Sequence, residues 1–204
     1  MAENRNRRDQ LRDAAIEVLA QEGGRGLTHR AIDRAAGLPE GTAKNYFATR
    51  DALLRAAAER CVERYWADLQ VAPAGEIQGR DGLAAFLHRL VDHAVTANRS
   101  RVLAYLELHA EAARRPELRA TLAELTRADL ALHLRAHEAA GLPATRRTAA
   151  TVTMCLNTAL TYLLTQPAET LADYGLDDLD AFLRDLLHTV YPPPGRPAGA
   201  VPAG

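Results

Sequence analysis

Cysteine is scarce in this chain of 204 residues, and the scarcity excludes two common ways of stabilising a small protein. Cys61 and Cys155 lie far apart and form no CxxC pair. A disulfide framework or a structural zinc site needs more cysteines at closer spacing. Both residues occur in apolar segments with helical spacing, so we expect them to be small hydrophobic side chains in a reducing compartment.

Long hydrophobic runs are also missing. No apolar stretch approaches the roughly 20 residues that a membrane-spanning helix needs. The first residues, MAENRNRRDQLRD, contain no apolar segment of the kind found in a signal peptide. We therefore expect a soluble cytoplasmic protein with no membrane partner.

An excess of one charge is absent overall but present locally. The net charge of −1 excludes a uniformly basic nucleic-acid-binding protein. Residues 1–60 nevertheless carry 11 Lys and Arg against 9 Asp and Glu, and Arg5, Arg7 and Arg8 form a basic arm at the N-terminus. A basic end on a near-neutral body favours a protein that contacts phosphate at one end only, although a merely solvated terminus has the same composition.

Signatures of catalysis and of cofactor binding are absent from the sequence. It contains no GxGxxG, P-loop, GxSxG or HExxH motif, the usual marks of nucleotide, hydrolase and zinc chemistry. His133 and His137 have the i, i+4 spacing of metal ligands, but no third ligand lies nearby in the sequence. We predict no cofactor, no metal and no enzymatic activity.

Helical periodicity is present throughout. Gly and Pro separate segments with an apolar period near 3.6 residues, and no alternating strand pattern occurs. The pattern predicts an all-α protein in which a long helix at residues 49–70 links a short N-terminal group of helices to a larger C-terminal helical part. The tail at residues 192–204 holds five of the ten prolines and is predicted to be disordered.

Residues 27–47, LTHRAIDRAAGLPEGTAKNYF, have the form of a helix-turn-helix. Two short helices, at 28–36 and about 40–46, flank a turn in which Gly37 supplies the left-handed conformation. The second helix is short and polar, which suits insertion into the major groove of DNA.

A wider set of residues matches a known family in order and spacing: Thr28, Ala31, Ile32, Ala35, Ala36, Gly37, Leu38, Pro39, Gly41, Thr42, Tyr46, Phe47, Arg50, Asp51, Leu53 and Leu54. Residues 6–54 thereby resemble the DNA-binding domain of TetR-type (tetracycline-repressor-like) bacterial transcription regulators. Ala43, Lys44, Asp33 and Arg34 depart from the family's usual residues.

The resemblance implies an N-terminal three-helix DNA-binding domain over residues 1–48 and a helical effector-binding and dimerisation domain over residues 49–191. It implies a homodimer that binds double-stranded DNA at a near-palindromic operator and is released by a small-molecule effector, most often as a repressor. An activator, or a regulator without a small effector, is the alternative within this class. An all-helical adaptor that does not bind DNA is the alternative outside it.

DNA contacts are expected from the basic arm and from the two motif helices: Arg5, Arg7, Arg8, Thr28, His29, Arg30, Pro39, Glu40, Gly41, Thr42, Ala43, Lys44, Asn45 and Tyr46. Lys44 is expected at a backbone phosphate, and Thr42 at a phosphate or a base edge. The backbone N–H groups at Glu40 and Gly41 are expected to face phosphate, because helix N-termini bind anions.

The C-terminal helices supply candidates for the effector site and for the dimer interface. Amphipathic side chains within apolar faces are the effector candidates: Trp66, Phe86, Tyr105, His109, Met154, Asn157 and Thr161. Few charges lie on these faces, so we expect a mainly apolar, uncharged effector. Apolar stripes on two helices predict the interface: Val152, Leu156, Leu160, Leu163, Leu179, Leu183 and Leu186. The alternative is that these stripes fill the core of one subunit.

Overall fold

Ten α-helices and no β-strand make up residues 2–69 and 77–192, the part of the chain that the computed structural model describes. In chain order the helices are α1 Ala2–Gly26, α2 His29–Ala36, α3 Thr42–Tyr46, α4 Arg50–Leu69, α5 Gly79–Val95, α6 Arg99–Ala112, α7 Pro116–Ala139, α8 Arg146–Thr165, α9 Ala168–Asp173 and α10 Leu179–Val190. The all-α prediction is confirmed. Apart from Pro192, the tail predicted to be disordered lies outside the described residues. No described helix is both long enough and apolar enough to cross a membrane.

Local signals explain how α2 begins and ends. Thr28 precedes the helix in an extended conformation, and its Oγ1 accepts a hydrogen bond of 3.1 Å from the backbone N–H of Ala31. Gly37 ends the helix with a φ of 63°, a left-handed conformation that glycine adopts without strain. Both features follow the prediction, so the turn before α3 is encoded locally.

Three helices differ from their predicted extent. α1 begins at Ala2 and not near Asn6, so the three N-terminal arginines lie on a helix and not on an extended arm. α3 begins at Thr42, two residues after its predicted start, because Gly41 has a left-handed φ of 91° that is incompatible with the helix. The short helix α9, Ala168–Asp173, was not predicted, since fewer than two turns show no apolar period.

Residues 2–69 and 93–129 form one compact unit. Within it, α1 packs against α2, α4 and α6. The shared core contains Leu19, Ile32, Leu54 and Leu108, all fully buried. Because burial of each such side chain is worth about 1.5–3 kcal/mol, α6 is held firmly to α1 and α4.

Residues 77–92 and 130–192 form a second compact unit, in which α8 packs against α10. Thr145 and Thr148 form a reciprocal capping box at the start of α8. The Tyr191 hydroxyl donates to Thr148 Oγ1 over 3.0 Å and lies 2.6 Å from His137 Nδ1. This hydrogen-bonded chain ties the end of α7 to the start of α8 and the end of α10.

Three residues assigned to the dimer interface belong to the core of this second unit. Val152, Leu156 and Leu183 are 0%, 4% and 0% exposed. Since packing within the chain already covers these side chains, their assignment to an interface is wrong. The other four members are half-buried: Leu160, Leu163, Leu179 and Leu186.

Candidate DNA-binding surface and effector cleft

The outer surface of α3 carries exposed polar side chains. Lys44 and Asn45 are exposed, and Lys44 forms no ion pair with any residue that the structure describes. Arg30 on α2 is also exposed, and its Nε lies 3.6 Å from a carboxylate oxygen of Glu40. The surface therefore presents one uncompensated cation beside a neutral hydrogen-bonding side chain.

The inner surface of α3 fixes how the helix is rotated. Ala43 is 0% exposed and Phe47 is buried, so both pack into the core of the first unit. Ala43 cannot contact DNA through its side chain, and its assignment as a DNA-contacting residue is wrong. Because Ala43 points inward, Lys44 and Asn45 point outward.

Asp33 is the positioning residue that the sequence analysis missed. Its side chain is 2% exposed. Its Oδ2 accepts a hydrogen bond of 2.8 Å from the Gly41 N–H, and its Oδ1 accepts one of 2.7 Å from the Ala43 N–H. A carboxylate at a helix N-terminus satisfies free N–H groups and complements the helix dipole.

The Asp33 carboxylate also corrects the expectation that the Gly41 N–H faces phosphate, because that donor is already used. One feature of the sequence could have revealed this role. Asp33 is an acidic residue on an otherwise apolar face of α2, at a position where it departs from the family pattern.

Thr42 closes the turn before α3. Its Oγ1 donates to the Pro39 carbonyl over 2.6 Å, and its backbone N–H donates to the same oxygen over 3.1 Å. The hydroxyl keeps lone pairs that accept hydrogen bonds. In this conformation it cannot donate to a phosphate, which removes one of the two roles expected for it.

The first turns of α1 lie next to the helix-turn-helix. The Arg8 guanidinium sits over the Phe47 ring, 5.4 Å from the ring centre, and the Gln10 amide donates to the Ala36 carbonyl over 2.8 Å. A ring nitrogen of His29 lies 2.6 Å from the Phe47 carbonyl. These contacts place part of the N-terminal basic segment at the end of α3.

Two glutamates one turn apart on α6 contact both α1 and α4, and we call them the carboxylate pair (Glu107 and Glu111). Glu107 accepts a hydrogen bond of 2.8 Å from the Gly24 N–H, and Glu111 accepts one of 2.9 Å from Arg50. A Cβ added at Gly24 would lie 2.7 Å from Glu111 Oε1, so a larger residue here would displace the Glu111 carboxylate. Hydrogen bonding to Arg50 lowers the pKa of Glu111, which keeps the carboxylate charged.

A cleft of about 320 Å³ opens between α6 and α7, within the first unit. It is lined by His109, Ala112, Arg119, Leu122, Ala123, Thr126 and Arg127. Tyr105 packs edge-on against His109, with ring centres 4.4 Å apart. Partial burial lowers the pKa of His109, which favours the neutral ring. Of the predicted effector residues, His109 lines this cleft, and Tyr105 packs against His109.

The remaining effector candidates lie elsewhere. Trp66 packs edge-on against Tyr65, and Phe86 is buried in the core of the second unit. Met154 is 70% exposed and Asn157 is exposed, while Thr161 is half-buried. Neither Met154 nor Asn157 lines the α6–α7 cleft, and their assignment to an effector site stays a prediction.

The histidine pair on α7 serves packing and hydrogen bonding. His133 and His137 are both buried, with ring centres 6.4 Å apart. Burial, with a contribution from His133, lowers the pKa of His137 to about 4. No group of three potential metal ligands occurs within residues 2–69 and 77–192.

Two family models match the chain. The model described as "Bacterial regulatory proteins, tetR family" matches residues 11–57, and that described as "Tetracyclin repressor-like, C-terminal domain" matches residues 78–189. No curated protein matches.

Solved structures match over nearly the whole chain. A member of the TetR family from Streptomyces coelicolor A3 is 29% identical, with 92% of this chain and 99% of that one covered and a TM-score of 0.67. The multidrug binding protein EbrR complexed with ethidium is 28% identical, with the same coverage and a TM-score of 0.68. A transcriptional regulator from Rhodococcus sp. Rha1 is 19% identical, covers 90% of this chain and 95% of its own, and has a TM-score of 0.73. This last likeness shows the fold alone.

Proposed function

The chain belongs to the tetracycline-repressor-like (TetR) family of bacterial regulatory proteins, and from this membership we propose a repressor that binds a near-palindromic operator as a homodimer. It is a ligand-responsive DNA-binding transcription regulator. That it represses transcription, that it acts as a homodimer and which residues contact DNA are proposed here. The observation that carries it is α3, which exposes Lys44 and Asn45 on a helix fixed by Asp33. We also propose a cytoplasmic location, because the family consists of bacterial DNA-binding regulators.

We assign different DNA contacts to neighbouring residues of α3. Lys44 is exposed and without an ion pair among the described residues, so it is assigned to a backbone phosphate. Asn45 is assigned to a base edge, because its amide both donates and accepts. The Thr42 hydroxyl already donates to Pro39, so it contacts a base amino group as an acceptor or a thymine through its methyl group.

The helical start of α1 extends the proposed phosphate contacts. Arg5 and Arg8 are exposed and Arg7 is half-exposed, and the Phe47 ring holds Arg8 near α3. Cations placed on a helix lose less entropy on binding than cations on a free arm. The other residues assigned to DNA contact on α2 and α3 remain predictions.

The proposed dimer interface uses the outward face of α8, which we call the threonine stripe: Thr151, Met154, Thr158, Thr161 and Thr165. Its spacing of three and four residues repeats as in the seam of a coiled coil. All four threonine hydroxyls donate to backbone carbonyls one turn earlier, over 2.7–3.1 Å. Because their donors are used internally, the threonines present methyl groups beside the exposed Met154 side chain.

Half-buried apolar side chains on α10 add to this surface: Leu179, Phe182, Leu186 and Val190. They are spaced three or four residues apart and so follow one side of the helix. A neutral, methyl-rich surface suits contact with a second copy of itself, because a two-fold axis brings identical patches together.

We place the effector in the cleft between α6 and α7. The structural relatives support a small organic molecule with an aromatic body, since EbrR is found with ethidium, proflavin and malachite green. These dyes are cations, so they support the aromatic body and not the charge of the effector. α6 carries the carboxylate pair that contacts α1 and α4. A ligand that shifts α6 therefore acts on the DNA-binding helices, and such coupling is typically about 1–3 kcal/mol.

A gel-shift titration with the DNA that flanks its own coding region tests the proposed function. The proposal expects tighter binding to this DNA than to unrelated DNA of equal length, at a fixed salt concentration. Equal affinity for both, together with no change in transcription of the adjacent gene when the protein is removed, would favour the adaptor alternative. A fall in transcription on removal would indicate an activator.

A further inference from the structure

The α6–α7 cleft combines an apolar floor with two arginines that lack carboxylate partners. Ala112 and Leu122 are buried and form the floor, and Arg119 and Arg127 are exposed at the edge. A volume near 320 Å³ lies at the small end of ligand sites, which run from roughly 300 to 1,000 Å³. The cleft fits one or two fused rings with a polar substituent.

The two edge arginines differ from the arginines next to them in the fold. Arg115 pairs with Asp51 and Glu111, and Arg50 pairs with Glu111. Arg119 instead donates to the Ala112 and Ala113 carbonyls, over 3.4 and 3.0 Å. These acceptors are neutral, so the positive charge of Arg119 stays uncompensated.

Arg127 forms no ion pair within the described ranges, and none of the seven residues lining the cleft is acidic. Guanidinium groups bind carboxylates and related oxyanions through paired N–H donors. His109 adds an aromatic wall, and its partial burial disfavours the protonated form by lowering its pKa. The positive field of the cleft therefore comes from the two arginines.

The geometry points to a small organic anion as the ligand of this cleft, with an apolar ring body on Ala112 and Leu122 and its carboxylate or sulfonate between Arg119 and Arg127. That this ligand regulates DNA binding rests on the proposed function, whereas the binding of an anion to the cleft does not. The anion replaces the uncharged effector expected from the sequence, since two unpaired arginines disfavour a cation and favour an anion.

Three naphthalene probes of one shape and different charge test the assignment on the full-length protein without DNA. They are 2-naphthoate, 2-naphthamide and 2-naphthylmethylammonium, and calorimetry measures their dissociation constants. We expect 2-naphthoate to bind at least about tenfold more tightly than the amide, the factor given by one charge-assisted hydrogen bond. The ammonium probe should bind most weakly.

Charge-removing variants locate the anion. Arg119→Gln and Arg127→Gln should each weaken 2-naphthoate by about tenfold and leave 2-naphthamide unchanged. Arg135→Gln is the matched control, because Arg135 is an exposed arginine on the same helix outside the cleft lining. All three positions are exposed, and circular dichroism checks that each variant is folded.

Three results would overturn the assignment: equal affinity of the three probes, equal loss in the control variant, or no detectable binding of 2-naphthoate at concentrations up to about 1 mM. The regulatory role is judged separately. If 2-naphthoate binds through the two arginines yet leaves DNA affinity unchanged, the anion site stands and the effector role proposed for this cleft fails.

Discussion

Helices α3 and α8 both expose polar residues, but their surfaces differ in charge and in how their polar groups are satisfied. On α3, Lys44 and Asn45 keep their polar ends free to bind. On α8, the hydroxyls of Thr151 and Thr158 donate to their own helix, so that their donors are not available to a partner. A polar residue type therefore does not imply a polar surface, because hydrogen bonds between a side chain and its own helix reduce the number of donors available to a partner. We expect α3 to contact phosphate and bases, and α8 to contact a second copy of the chain.

The largest expected effect comes from a charge in the threonine stripe. Met154→Arg should give a folded monomer, because the stripe has no acidic partner for the new cation. Operator affinity should fall by at least about 100-fold, since binding of two half-sites through one dimer is lost. Light scattering gives the mass, and a gel shift gives the affinity.

Two further variants make this result specific. Glu138→Arg, at an exposed site on α7, should remain a dimer. Leu183→Arg should unfold the second unit, because an unpaired charge in a fully buried site costs more than about 4 kcal/mol. If Met154→Arg remains dimeric, or if Leu183→Arg gives a folded monomer, the face assigned to the interface is wrong.

Acid should affect the two units in different pH ranges. The pKa of His137 is about 4 in the folded protein, against about 6.5 when unfolded. Because the unfolded state binds the proton more readily, stability is lost as the pH falls from about 6.5 to 4, and about 2 kcal/mol of it is gone at pH 5. His137 faces Tyr191 and His133, so this loss weakens the unit that holds α8 and α10.

The first unit depends on a carboxylate instead. Arg50 lowers the pKa of Glu111, so this stabilisation is present above the ordinary glutamate pKa and is lost only below it. Thermal unfolding between pH 7 and 5 should therefore show a smaller fall in melting temperature for His137→Gln than for the unaltered protein. An identical fall in both would show that another group controls the acid response.

Asp33 tests whether α3 must be positioned before it can read DNA. Asp33→Ala removes the acceptor for two N–H groups and should lower the free energy of unfolding by about 1–2 kcal/mol. DNA affinity should fall as well, without a change in the dependence on salt, because no phosphate contact is removed. Glu40→Ala is the control: its carboxylate is exposed on the same turn, so stability should barely change. Equal stability of the Asp33 and Glu40 variants would contradict the positioning role.

The smallest expected effects distinguish the phosphate contact assigned to Lys44 from the base contact assigned to Asn45. Lys44→Ala should weaken all DNA sequences about equally and reduce the slope of log K against log salt by about one unit. Asn45→Ala should leave that slope unchanged and alter the preferred sequence. Binding to a randomised operator pool at two salt concentrations measures both. A Lys44 variant that reorders the preferred sequences at an unchanged slope would make Lys44 a base-reading residue.

The helix-turn-helix was predictable because its signals are local. The Thr28 cap and the Gly37 turn lie within a few residues of what they stabilise. Asp33 was not predictable, since its role depends on N–H groups eight and ten residues away that only the folded turn brings near. The same limit applies to Gly24, where the close approach of the carboxylate pair comes from a distant helix.

On α8, the apolar residues Val152 and Leu156 were assigned to a dimer interface but lie in the core of the second unit. Val152 and Leu156 form an apolar stripe that needs covering, and the sequence does not say whether a second subunit or the same chain covers it. The structure covers it from within. The threonines on the other side read as polar in the sequence, because only the folded helix shows where their hydroxyls donate. Of the residues that line the cleft, His109 was predicted, whereas Arg119 and Arg127 were not.

The central claim is that contact between two copies of α8 holds two copies of α3 at the spacing of successive major grooves. Spin labels at Ala48→Cys, an exposed site just after α3, test this in a Cys155→Ser background where the other cysteine, Cys61, is buried. Pulsed dipolar spectroscopy of the protein bound to operator DNA should give one label-to-label distance near 34–36 Å, about one turn of DNA. The distance should vanish in Met154→Arg. An absence of any dipolar distance in the DNA-bound protein without that substitution would contradict the account.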